Sequence, residues 1–98
     1  MFRHVVMFSW KDGTTEEQRR TVADQLATLP GKIAELRGYH FGPDAGVNPG
    51  NADFAVVADF ADVDDYLVYR DNPDHRAIIE ACITPIVASR TAVQYELD

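Results

Sequence analysis

From Phe2 to Trp10 the side chains alternate: in an extended chain Phe2, His4, Val6, Phe8 and Trp10 share one face, and Arg3, Val5, Met7 and Ser9 the other. Asp53 to Phe60 repeats the pattern, with Phe54, Val56, Ala58 and Phe60 opposite Ala55 and Val57. Both faces of both stretches carry apolar side chains. A sheet built from them needs cover on its two sides, and that requirement narrows the choice of fold more than any other feature of the chain.

The segments between supply one cover. Thr14-Thr15-Glu16-Glu17 reads as a capping box, with the Thr14 hydroxyl on the Glu17 amide and the Glu17 carboxylate on that of Thr14. The helix it starts has the apolar stripe Val22, Leu26 and Leu29 and ends at Pro30-Gly31. Ile33 to Arg37 forms a further turn closed by Gly38, and Tyr39-His40-Phe41 a short strand on which His40 is exposed. Residues 42–51, with three glycines and two prolines, form a mobile surface loop without the GK[ST] ending of a phosphate loop. Asp62 caps a short helix through Tyr69, with Asp64 and Asp65 in its first turn. Asp59, Asp62, Asp64 and Asp65 lack the spacing and glycine of a calcium loop, so no metal is expected.

Asn72-Pro73 marks another helix start, the asparagine as N-cap and the proline, whose missing N–H costs nothing there, as first residue. His75 is then the third helical residue and opens the inward stripe Ile78, Ile79, Cys82 and Ile86. It is either a satisfied core histidine or part of a polar site in an apolar pocket. Pro85 ends this helix by about Ala88, and Thr91, Val93, Tyr95 and Leu97 alternate with Ala92, Gln94 and Glu96 in a last strand long enough to pair centrally. Two strand-helix-strand halves of this kind give an α+β, ferredoxin-like antiparallel four-stranded sheet with helices on one face. Val5, Met7, Ala55 and Val57 remain on the other face for a second copy of the sheet, which predicts a homodimer.

At 98 residues the chain is a single domain, 46% hydrophobic and 26% charged, as ordinary globular proteins are. Its net charge of −7 repels phosphate backbones and anionic lipid headgroups, so neither nucleic acid nor membrane is an expected partner. The single cysteine, Cys82, fits a small hydrophobe in a reducing compartment, and no cleavable leader is evident in residues 1–10, so a cytoplasmic location is expected.

Several stretches together carry a family resemblance: the opening Arg3-His4-Val5-Val6-Met7-Phe8-Ser9-Trp10-Lys11, the turn Asp12-Gly13-Thr14-Thr15-Glu16-Glu17-Gln18, Leu29-Pro30-Gly31-Lys32-Ile33, and Tyr69-x-x-Asn72-Pro73-x-His75. In these the chain resembles the stress-responsive A/B barrel (Dabb) family of dimeric α+β barrels, whose two sheets face each other with helices outside. In olivetolic acid cyclase-like members, a histidine base and an assisting tyrosine act without a cofactor in a pocket between sheet and helices. The resemblance places the base at His75, the tyrosine at Tyr69 and a pocket histidine at His4. The third-strand pocket histidine is Phe54 here, and the first histidine of the family's His-Pro-x-His run is Asn72.

Two functions follow as expectations. One is cofactor-free acid/base chemistry of the cyclase, lyase or isomerase kind on an apolar carbonyl compound, with His75 and Tyr69 catalytic and His4, Phe8, Phe54 and Asn72 lining the substrate. The other is a stress-associated binding or assembly protein with a vestigial pocket. A cavity of roughly 300 Å³ or more bounded by His4, Phe8, Phe54, Tyr69 and His75 would favour the first.

Overall fold

The computed structural model describes residues 1–97. Strands β1 (Phe2–Trp10), β2 (Gly38–Pro43), β3 (Phe54–Phe60) and β4 (Val87–Glu96) form one antiparallel sheet in the order β2-β3-β1-β4. Helices α1 (Glu16–Leu26), α2 (Val63–Asp71) and α3 (Pro73–Ile78) connect them, the ferredoxin-like arrangement read from the sequence. The helix-side face holds the core: Phe2, Val6, Phe8 and Trp10 of β1 and Phe54, Val56, Ala58 and Phe60 of β3 are buried with Val22, Leu26, Leu29 and Ile33.

Several boundaries differ from the sequence reading. The capping box is one residue later: Thr15 Oγ1 accepts from the Gln18 amide at 3.1 Å and Gln18 Oε1 from the Thr15 amide at 2.8 Å. Thr14 is already engaged, its hydroxyl donating to the Lys11 carbonyl at 2.7 Å across the turn that Gly13 makes at φ 83°. Regular α1 stops at Leu26, and looser turns carry buried Leu29 to Pro30.

The third helix is shorter than expected. Pro85 has no N–H for the Ala81 carbonyl, and before it the chain opens into a wide turn, Ile79–Ile83, closed by Thr84 N–H on the Ile79 carbonyl at 2.8 Å. The last strand accordingly starts at Val87. It pairs with β1 alone and is an edge strand, not a central one, because β3 occupies the other side of β1. Residues 88–96 are exposed on both faces. The 42–51 loop is exposed but tied, with the Asp44 carboxylate accepting from the Gly46 amide and the Asn51 side chain.

On the open face, Arg3 donates to both oxygens of Asp59, at 2.7 and 2.9 Å. The neighbouring strand carries glycine there, and a Cβ on Gly38 would crowd Asp59 Oδ2 at 3.0 Å. Among the described residues no helix is long and apolar enough to cross a membrane, and Cys82 is a half-buried free thiol.

Candidate active site

Asn72 is the joint from which the site is built. It ends α2 and starts α3, and its Oδ1 accepts from the amides of Asp74 at 2.9 Å and His75 at 3.2 Å. Tyr69, in the last turn of α2, and His75, in the first turn of α3, are thereby folded onto each other with ring centroids 4.1 Å apart. Asn72 itself does not line the cavity they face. It was expected among the substrate-lining residues; capping consumes its side chain, and it positions His75 instead.

His4 reaches the same place from the middle of β1, buried, its ring 6.5 Å from Tyr69 and 5.0 Å from Tyr66. These rings, with Phe8, Tyr39, Ile79, Ile83 and Arg90, border a cavity between the sheet and α2–α3. Phe54 is not among them. It lies on the expected face, but antiparallel pairing puts it opposite Phe8 toward the far end of the sheet. There it borders a more open hollow of about 460 Å³ with Trp10, Arg19 and Arg20, which contains no histidine. The histidine cavity measures about 80 Å³, well short of the roughly 300 Å³ at which ordinary ligand pockets begin. At about 10–15 Å³ per water, it holds a molecule of roughly five to eight non-hydrogen atoms.

The two histidines present opposite faces of imidazole chemistry. His75 Nδ1 lies 3.3 Å from the Arg70 carbonyl, which can only accept, so the neutral ring carries its hydrogen on Nδ1 and a lone pair on Nε2. His4 Nδ1 accepts from Gln94 Nε2 at 3.0 Å, so its hydrogen sits on Nε2. No buried side-chain nitrogen or oxygen among the described residues lacks a partner. Both Nε2 atoms, which have no hydrogen-bond partner among the described residues, are therefore accessible, and both rings border the cavity.

Burial keeps both rings neutral. It pushes His4 down to about 4, helped by the charge of Arg90 and by the repulsion two protonated rings would feel, and it lowers His75 against the opposing bond to the Arg70 carbonyl. Burial likewise raises the Tyr69 hydroxyl, so it stays protonated, and it lies 3.3 Å from the Tyr39 hydroxyl. The site is thus a base nitrogen, an N–H donor and a phenol around one small space. Among the described residues no group of three or more His, Cys, Asp or Glu side chains could hold a metal ion.

Tyr39, Tyr66, Gln94 and Arg90 were not foreseen. Arg90 and Gln94 have a usable signal in retrospect: they lie four apart on one strand face, and pairing opposite Phe8 and His4 puts them on the helix side.

The family described as Stress responsive A/B Barrel Domain matches residues 2–97. The chain is 30% identical over 79 residues to an uncharacterized protein of Streptomyces coelicolor, covering 79% of this chain and 81% of that one. Among solved structures it is similar to a dimeric ferredoxin-like protein of Thermobifida fusca, with 47% identity, a TM-score of 0.91, and coverage of 98% and 90% of the two chains. A hydroxynitrile lyase of Passiflora edulis shares the fold at 18% identity and a TM-score of 0.85, with 99% and 93% covered.

Proposed function

The chain belongs to the stress-responsive A/B barrel family, and from that premise we propose a homodimeric barrel protein whose cavity carries out acid/base chemistry on a small carbonyl compound. The observation that carries this reading is the opposed pair of neutral histidines opening on one space. His75 Nε2 takes a proton from the carbon next to the carbonyl, while His4 Nε2–H and the Tyr69 hydroxyl donate to the oxygen as it gains negative charge. Return of the proton at another carbon, loss of a leaving group or ring closure would make the protein an isomerase, lyase or cyclase. That a hydroxynitrile lyase shares the fold supports a lyase as chemistry this scaffold can host. Phe8 forms part of the apolar wall. The dimer is supported by the dimeric relative and by Val5, Met7, Ala55 and Val57 on the open face.

The small cavity favours a second reading, a binding or assembly protein of the stress-associated branch in which the pocket has nearly closed. Proton–deuterium exchange separates the two. Incubated in D₂O with small ketones and 1,3-dicarbonyl compounds and followed by proton NMR, the protein should exchange the acidic C–H above the buffer rate. His75→Asn should lower that rate by about 10² to 10⁴, with a separate, smaller loss for Tyr69→Phe. No exchange with any compound, or full exchange by His75→Asn, returns the protein to the binding or assembly reading.

A further inference from the structure

Two cations border the histidine cavity, and among the described residues only one is neutralised. Arg70 donates to both carboxylate oxygens of Asp71, at 2.9 and 3.1 Å. Arg90 stands opposite Phe8 across β1 and β4, on the helix side, exposed overall at the mouth of the cavity. Among the described residues it has neither an ion-pair partner nor a hydrogen bond to a side chain, although the chain has 16 acidic against 9 basic residues. Its charge bears on both working groups inside, His4 and Tyr69. The rest of the border is aromatic and aliphatic apart from the two histidines and Arg70.

We infer that Arg90 makes this cavity select a small molecule with a carboxylate close to its carbonyl group, a short keto acid, an assignment of substrate class that rests on the acid/base reading above. The guanidinium fork matches a carboxylate with two parallel N–H donors. With the carboxylate on Arg90 and the carbonyl oxygen on His4 Nε2–H, the carbon between them is presented to His75 Nε2. The cavity's capacity, roughly five to eight non-hydrogen atoms, suits a short keto acid and not a long acyl chain. Because the chain as a whole is acidic, diffuse electrostatics disfavours an anion, so any preference for one must come from a local cation.

The test compares acetoacetate with its neutral counterpart acetoacetamide, both titrated by calorimetry. Wild type should bind acetoacetate at least about tenfold more tightly. Arg90→Gln should erase that preference, and Arg90→Lys should keep part of it. Both variants are on an exposed edge strand, and their melting curves check that they fold. Equal affinities in wild type, a preference surviving in Arg90→Gln, or displacement of acetoacetate by equimolar inorganic phosphate would each overturn the assignment. The outcome is separable from that of the parent reading. Should Arg90→Gln lose the preference while His75→Asn leaves exchange unchanged, the ligand class stands and the base is wrong. Should His75→Asn abolish exchange while Arg90→Gln binds both probes as wild type does, the base stands and the ligand class is wrong.

Discussion

The two faces of this sheet are made of the same strands and end in different states. On the helix side the alternate residues of β3 vanish from solvent: Val56 is 3% exposed, and Ala58 and Phe60 are 0%. On the open side the intervening residues are mostly apolar apart from the Arg3–Asp59 pair, yet the apolar ones stay partly uncovered. Val5, Ala55 and Val57 are half-buried, and Met7, Val93 and Tyr95 are 40%, 58% and 45% exposed. One face is completed by the chain's own helices and also holds the site. The other is left uncovered by this chain and, in the proposed dimer, is where a second copy sits; β4, exposed on both sides, shows how much surface a partner could take.

Adjacent residues allow the sharpest break in that comparison. Val56 and Val57 are consecutive on β3 and point to opposite faces. Val56→Lys buries a charge in a finished core and should cost several kcal/mol, comparable with the whole stability of a domain this size. The chain should unfold, as circular dichroism would report. Val57→Lys should leave a folded chain that no longer dimerises, because the charge is desolvated only when the second sheet arrives. Sedimentation at micromolar concentration checks this; a dimeric Val57→Lys, or a monomeric wild type, would contradict the assignment of the open face.

Acid separates the faces by pH. His4 titrates near 4 in the folded chain and near 6.5 when unfolded, so between those values the unfolded chain binds more protons. Stability from the helix side is full above about 6.5 and falls as pH drops toward 4, by up to about 3 kcal/mol for His4. His75, also lowered, adds in the same direction. On the open face Asp59 is held below its ordinary value by the hydrogen bonds from Arg3, so its contribution is present above about 3.8 and lost only as pH falls through its lower folded value. Denaturant midpoints from pH 7 to 4 should therefore decline in wild type and much less in His4→Gln, while dimerisation persists across that range. A flat wild-type profile would mean that His4 is not held neutral.

How much of this was legible in the sequence depends on whether a signal is local. The β1 and β3 alternation and the Asp62 and Asn72 caps are carried by neighbours along the chain, and all stand as read. The α1 cap slipped by one because either of two consecutive threonines could serve, and only the contact of Thr14 with Lys11 decides. Pairing is what the pattern could not supply. Period two says which face Phe54 occupies, but only the register with Phe8 says that it sits away from the histidines. The same register brings Gln94 to His4 and Arg90 to the cavity from the far end of the chain. His75, close to Tyr69, was drawn out by the Asn72-Pro73 helix start, and family resemblance added His4, a long-range contact that spacing alone could not supply.

The smallest expected effect bears on what kind of burial the site represents. His75 lies on the finished side of the sheet, yet it is only half-buried and its ring bond to the Arg70 carbonyl is long, at 3.3 Å. His75→Asn keeps a polar side chain at the third helical position and leaves the Asn72 cap on its backbone amide untouched, since that bond does not involve the ring. What is lost is one ring hydrogen bond and the packing on Tyr69, each a fraction of a kcal/mol to about 1.5 kcal/mol before the asparagine recovers part of it. A destabilisation of about 1 kcal/mol is expected in urea unfolding. A loss of 3 kcal/mol or more would put His75 with Phe60 and Val56 as a structural element of the core, and its imidazole would then need no chemical reason to be there.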